Sequence, residues 1–439
     1  MRLLSNADRG ALFVYKKIVL LIVALLICFV VYKVWQAWHV TTPPGFVKDG
    51  MGKMEVVVTR LPQNPIITDN IDDSLMLETT RYGYININGP SVIRVPSWVN
   101  NPLGRYYMYF AHHKGEYIRL AYAERIEGPW QVYRPGVLHV KDSLFTTQRA
   151  TGDAITTLIS MFTRLKPTEF WALLRVGLDA GKAHEQRVDM GIGGSDELKP
   201  HVASPDVIVD DKRKEIRLYY HGLLEDRTQM TRLAISQDGV CFIPQPDILS
   251  PPYLRIIPYR DEYYGIAMPA LLYRSPDGRS SFEVRVKPLA GPDTRHLAML
   301  RKGNTLYVFW TRIGDAPERI LCSTMDMSST NWNDWRISEP VDVLLPAMPW
   351  EGVDLPIEPS LRGEMTTAVR QLRDPAVLEE GNRTYMFYCC AGEQAIALAE
   401  IVFMAPPGGE ARELAQILST ADENVPLLAL KMSHFAVIF

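Results

Sequence analysis

The chain has 439 residues, of which 47% are hydrophobic and 22% charged, with a formal net charge of −3. That composition is globular rather than disordered, and without a Lys/Arg block there is no face for a nucleic-acid partner bound by counterion release. The five cysteines (Cys28, Cys241, Cys322, Cys389 and Cys390) form neither a disulfide framework nor a zinc-ligand spacing, so they read as buried free thiols.

In chain order, residues 1–17 carry Arg2, Arg9, Lys16 and Lys17 against Asp8. Ile18–Tyr32 is apolar and uncharged, and the run to Trp38 totals 21 residues, enough to cross about 30 Å of hydrocarbon. Lys33 can snorkel, and Trp35 and Trp38 suit an interfacial belt. A cleaved signal peptide is the rival reading, but the bulky exit lacks its small residues. Residues 18–38 therefore read as an anchor in the lipid bilayer. The N-terminus is expected in the cytoplasm and the remainder outside it; Lys33, Lys48 and Lys53 weigh against that orientation without reversing it. Residues 39–53, with Pro43-Pro44-Gly45, read as a stalk.

From residue 54 to 405 the pattern is β. Tyr106–Phe110, a polar turn at His112–Glu116, Tyr117–Ala123 and the ending Glu127-Gly128-Pro129-Trp130 make one meander. Echoes follow around Val207–Gly239, Met268–Val286 (the weakest), Leu297–Thr324 and Pro375–Ile401. Five irregularly spaced meanders predict an all-β fold, a five-bladed β-propeller. Cys389 and Cys390, neighbours on one strand, must point to opposite faces. An insertion over 141–200 carries two helical patterns, Asp153–Phe162 and Glu169–Ala180. It reads either as a packing elaboration or as a surface for a membrane or a membrane-protein partner. Gly191–Ser195 is glycine-rich but lacks the strand-and-helix context of a phosphate loop. Residues 406–439 form a C-terminal extension ending in apolar Phe435–Phe439; this segment or Met54–Arg60 is expected to complete a blade.

Polar residues entering each innermost strand should converge on the axis. Those entrances read as Asn86–Pro90, His201–Asp206, Tyr263–Gly265, Thr294–His296 and Gln371–Pro375. The candidate constellation is Asn88, His201, Asp206, Arg295, His296, Arg373 and Asp374. The competing reading is that Asp-Pro and Ser-Pro merely initiate turns.

The run Tyr106–Trp130, with Ser204-Pro205-Asp206 and Arg373–Val377, resembles the family 43 glycoside hydrolases and their five-bladed relatives over about residues 84–405. The resemblance implies carboxylates on separate blades: a base, an orienting acid and a general acid. In the inverting mode, acid and base stand about 6.5–9.5 Å apart. Asp206 falls at the orienting position, and His296 where relatives carry an axial histidine supporting a central metal or water. No other cofactor is implied. The first-blade base is missing: Gly89-Pro90-Ser91 stands where Asp-Pro-Ser is expected. Asp374 is then the candidate base and Glu318 the candidate acid, although Glu318 beside Arg319 equally reads as a surface ion pair. Asn88, His112, His201, Arg295, His296 and Arg373 are candidate carbohydrate ligands; His112 and His113 also read as a solvated turn. The implied function is hydrolysis or binding of glycosidic bonds in a cell-surface or extracellular polysaccharide. The alternative is a silent glycan-binding or scaffold propeller in a membrane polysaccharide assembly, for which Gly89 is the direct argument.

Overall fold

Aromatic and β-branched runs broken by Gly, Asp and Pro turns fold here into five four-stranded antiparallel sheets. The structure is a computed structural model describing residues 55–151, 154–189 and 198–404. The segments read as an anchor and stalk, the glycine-rich run Gly191–Ser195 and the C-terminal extension lie outside the described residues. Blade 1 comprises β2 (Asn88–Arg94), β3 (Tyr106–Ala111), β4 (Tyr117–Ala123) and β5 (Gln131–His139). Blade 2 is β6 (Val202–Asp210), β7 (Glu215–Leu223), β8 (Gln229–Ser236) and β9 (Ile243–Pro244). Blade 3 is β10 (Arg255–Tyr259), β11 (Glu262–Ala267), β12 (Leu271–Ser275) and β13 (Glu283–Val284). Blade 4 is β14 (Thr294–Lys302), β15 (Thr305–Arg312), β16 (Ile320–Asp326) and β17 (Val341–Leu344). Blade 5 takes β18 (Arg373–Glu380), β19 (Arg383–Cys390) and β20 (Ala395–Met404), and its outer strand is β1 (Glu55–Arg60) from the other end of the chain.

That last pairing, from Glu55 opposite Met404 to Arg60 opposite Ala399, closes the ring. Glu351, fully buried, fastens the closure: Arg60 donates to it from Nε at 2.7 Å and Tyr388 from its hydroxyl at 2.8 Å. The innermost strands β2, β6, β10, β14 and β18 neighbour one another in sequence around the axis.

Five apolar layers fill the gaps between blades. Tyrosines suit these layers because the ring packs while the hydroxyl reaches a turn. Tyr109 on β3 donates to Gly239 O at 2.8 Å and Tyr219 on β7 to Gly278 O at 2.6 Å, each bond joining one blade to the next. Both are completely buried, and such a side chain contributes roughly 1.5–3 kcal/mol by burial. Cys389 packs in the layer between blades 5 and 1 and Cys390 in that between blades 4 and 5, as strand alternation requires. Cys241 corrects the expectation of buried thiols: it is exposed.

Blade 3 also differs from expectation. Tyr263–Gly265 belongs to its second strand, β11, and the innermost strand is the short β10. With five residues and Pro258 near its end, that strand reads as a loop in sequence. Helix α1 (Asp73–Tyr82) lies between β1 and β2, started by Asp72, whose side chain accepts from Ser74 N–H, and ended by left-handed Gly83. The insertion forms α2 (Ala154–Arg164) and α3 (Pro167–Asp189). Phe170 and Met161 bury against blade 2, and Tyr273 of blade 3 donates to Glu169 at 2.6 Å.

Candidate functional site at the propeller axis

Each innermost strand enters the sheet through a left-handed residue. The pairing register slips between Asn88 and Ser91, Ala203 and Asp206, Arg295 and Ala298, and Arg373 and Ala376. Within those slips Gly89, Ser204, His296 and Asp374 have φ of +61°, +49°, +53° and +46°. Tyr253, two residues before β10, has φ +67° and completes the set. A β-bulge of this kind turns one side chain out of the ladder, so the five blades present Gly, Ser, Tyr, His and Asp to the axis. These residues touch one another. Tyr253 donates its hydroxyl to Asp374 Oδ1, and His296 Nε2 stands 3.7 Å from the same oxygen. A Cβ on Gly89 would lie 3.2 Å from Ser204 Cα.

Beside this ring runs a buried ion-pair chain. Arg295 donates to Glu318 from Nε at 2.9 Å and Nη2 at 2.5 Å, and Arg373 Nε lies 3.1 Å from the same carboxylate. Arg373 Nη1 then reaches Glu393 at 3.1 Å, and Asn86 and Asn88 donate their side-chain amides to Glu393. His113 Nδ1 is 3.8 Å from Glu393. The segment between β17 and β18 lies over the chain: Leu361 O and Gly363 O accept from Arg295 and Arg373 at 3.0 Å each. Tyr84 on the blade 1 rim donates to Glu364 in that segment at 3.2 Å.

The assembled charges set the protonation states. Burial raises the Asp374 carboxyl, the Glu393 charge adds to it, and the group reaches about 6 despite Tyr253 and Arg373. Burial would likewise raise Glu318, but Arg295 and Arg373 hold it below its ordinary value. Burial and the two arginines keep His296 neutral; burial lowers His201 to about 3 and His112 to about 2.

Among the predicted residues, Asn88, Arg295, His296, Arg373, Asp374 and Glu318 meet in one network. Four depart from expectation. Glu318 is not on the surface and does not pair with Arg319, which reaches Asp342 and Asp315 instead. A fully buried carboxylate held by two guanidiniums is favoured in its charged form, an environment that works against proton donation. His112 points inward, 4.1 Å from the Tyr82 ring, and accepts from Lys114 N–H; His113 is the half-exposed member. His201 is completely buried, with Nδ1 on Lys199 O at 2.8 Å. Asp206 lies beyond the bulge ring, accepting from Ile256 N–H at 2.9 Å.

Glu393 and Tyr253 are absent from the sequence reading, and Asn86, the first residue of the first entrance, is outside its constellation. The available signal for Glu393 was a lone carboxylate in a turn between the apolar strands β19 and β20. Two guanidiniums flank the axial site, which disfavours a cation there, and no group of three or more His, Cys, Asp and Glu able to hold a metal occurs among the described residues.

No protein-family profile matches the chain. Solved structures similar to it include CoXyl43, a GH43 β-xylosidase/α-arabinofuranosidase from a compost microbial metagenome. That likeness has 12% identity and a TM-score of 0.45, covering 81% of this chain and 97% of that one. A GH43_1 enzyme from Xanthomonas citri is similar at 10% identity and TM-score 0.42, over 74% and 89% of the two chains. In sequence, the chain is 30% identical over 373 residues to uncharacterized protein R118 of Acanthamoeba polyphaga mimivirus, covering 79% of this chain and 91% of the relative. With that identity over that share of both chains, the chain belongs to the family of the mimivirus protein R118.

Proposed function

We propose that this chain is a membrane-tethered, glycoside hydrolase-like propeller that recognises carbohydrate without cleaving it. The observation that carries the reading is the state of Glu318: completely buried, doubly paired with arginine and held deprotonated. Asp374 is 3% exposed and Gly89 stands at the first-blade position, so among the described residues at the axis no two carboxylates offer an accessible acid and base. Polar groups that a hydrolase would spend on its substrate are spent here on one another and on the Leu361–Gly363 carbonyls. The sequence motifs shared with family 43 point to a glycan as ligand. The partly exposed rim of Tyr82, Tyr84 and His113 supplies aromatic faces and hydrogen-bonding groups suited to a sugar.

The anchor reading of residues 18–38 supports a bilayer tether with the propeller outside the cytoplasm. β1 begins at Glu55, level with Met404, on the face opposite the strand entrances. A stalk arriving there turns the rim away from the membrane, toward extracellular or cell-surface polysaccharide.

Hydrolysis is the second reading, favoured by Asp374, whose carboxyl at about 6 suits a proton donor near neutrality. It requires the segment over the axis to open. Full-length protein in detergent, titrated with an oligosaccharide panel and followed by mass spectrometry, separates the two. Saturable binding without products, weakened at least tenfold by a combined Tyr84→Ala/His113→Ala change, is expected. Products that disappear in Asp374→Asn would install the hydrolase instead.

A further inference from the structure

The turn between β3 and β4, His112–Glu116, holds an ammonium that no described acid neutralises. Lys114 is 5% exposed. Its backbone N–H donates to His112 Nδ1 at 3.1 Å, but its Nζ forms no hydrogen bond or ion pair among the described residues. The carboxylates around the turn are already engaged. Glu116 pairs with Arg81 at 2.7 Å, Glu78 with Arg119, and Glu393 with Arg373 at 3.1 Å. Arg81 and Arg119 are thus matched by Glu116 and Glu78, and the charge on Lys114 is left over. Lys199 brings a second positive charge that also acts on His112.

Histidines, not acids, line that charge. His112 and His113 share its turn, His201 stands at the entrance of β6 and His221 on β7, the last two with ring centroids 5.9 Å apart. Val202 N–H donates to Gly115 O at 3.0 Å and holds the turn against blade 2. An imidazole is neutral or cationic, so none of the four can act as counter-ion. Burial keeps His112, His201 and His221 neutral, and the Lys114 charge pushes each the same way. His112 accepts at Nδ1, so its Nε2 carries the proton and adds a buried donor without an acceptor among the described residues.

A largely enclosed charge without a partner is unfavourable, and a ligand that brings the opposite charge relieves it. The turn adjoins the aromatic rim: the His112 ring is 4.1 Å from that of Tyr82 and 5.2 Å from that of Tyr84, centroid to centroid. A sugar ring resting on either tyrosine therefore lies next to the turn that carries Lys114. One unmatched charge favours a monoanion over a phosphate. Of the common sugar monoanions, a carboxylate is more basic than a sulfate ester and so accepts more strongly from an ammonium.

We propose that the glycan recognised at this rim is acidic, and that a uronate carboxylate pairs with Lys114 while its ring lies against Tyr82 or Tyr84. The inference rests on glycan recognition at the rim and adds the class of sugar.

The test is calorimetric titration of the full-length protein in detergent with galacturonate, glucuronate and mannuronate oligosaccharides. Each is run beside its methyl ester, which keeps the ring and removes the charge, and beside neutral and sulfated oligosaccharides. At least one acid form should bind at least tenfold more tightly than its ester, and Lys114→Met should bring that ratio to about one. Equal affinity for acid and ester, a preference that survives Lys114→Met, or tighter binding of a sulfated sugar would overturn the assignment and leave glycan recognition standing. Failure to bind any oligosaccharide, neutral ones included, would remove the glycan reading and this inference with it. Should Lys114→Met fail to fold, the parent protein serves. Acetylation of Lys114 by N-hydroxysuccinimidyl acetate, read by peptide mass spectrometry, should slow at least tenfold with the acid oligosaccharide and not with its ester. Equal rates with the two would be the negative result.

Discussion

Replacing Glu318 by glutamine removes the charge at the centre of the axial chain while keeping its shape. Arg295 and Arg373 are 2% and 0% exposed, so neither guanidinium can turn to water for compensation. Arg373 retains Glu393 at 3.1 Å, whereas Arg295 is left with the Leu361 carbonyl and one neutral amide oxygen, the second carboxylate oxygen being replaced by an NH2 donor that faces a guanidinium. Removing one member of a buried ion pair costs about 3–5 kcal/mol. For the roughly 340 described residues, an unfolding entropy of about 2.1 cal/mol/K per residue converts that loss to a Tm decrease of about 4–7 °C. Thermal unfolding of the full-length protein in detergent, followed by circular dichroism, reads this directly. The double change Arg295→Met/Glu318→Met should cost less than Glu318→Gln, because an apolar pair leaves Arg295's charge out altogether. A catalytic acid would behave in the opposite way. If Glu318→Gln melts within about 1 °C of the parent but abolishes release of sugar from a glycan, the argument for a non-hydrolytic axis fails.

Asp374 should make stability depend on pH in an unusual direction. Its carboxyl is raised from 3.8 to about 6, so between those values the folded chain keeps a proton that the unfolded chain has released. Stability then falls as pH rises through that window, and above it Asp374→Asn should exceed the parent by up to about 3 kcal/mol. Urea midpoints at about pH 4.5 and 7.5 check this, and equal differences at both would contradict it. Glu351→Ala strips Arg60, Tyr388 and the Ala347 and Met348 amides of their common acceptor. The expected loss is about 3–5 kcal/mol, with faster proteolysis at β1 than elsewhere; uniform proteolysis would argue against a local closure. Gly89→Ala places a Cβ on a residue with φ +61°, 3.2 Å from Ser204 Cα, and should cost about 1–3 kcal/mol in chemical denaturation. Gly89→Asp meets the same obstruction and is expected to create no glycosidase activity in the oligosaccharide assay.

Strand content and the repetition of five meanders could be read locally, because alternation, aromatic runs and turn residues are properties of neighbours in sequence. Tyr106–Ala111 and Tyr117–Ala123 show this, as do the two helices of the insertion. The opposite faces of Cys389 and Cys390 follow from strand geometry alone. Where local signals weaken, the reading slipped: β10 is five residues long and contains a proline, so the third entrance was placed one strand late.

The set of blades and the polar character of their entrances are thus local properties, legible in neighbouring residues. Which of those residues share an environment was decided only by the closed ring. Asn86 meets Glu393 across 307 positions and Tyr253 meets Asp374 across 121, separations that carry no periodicity to detect. The roles follow from those meetings. Glu318 looks like a surface acid beside Arg319 until blades 4 and 5 bring Arg295 and Arg373 to its two oxygens. Asp374 looks like an ordinary turn residue until burial and Glu393 raise it. Charge and solvation act through space, and the chain assigns positions in space only when all five sheets have closed around the axis.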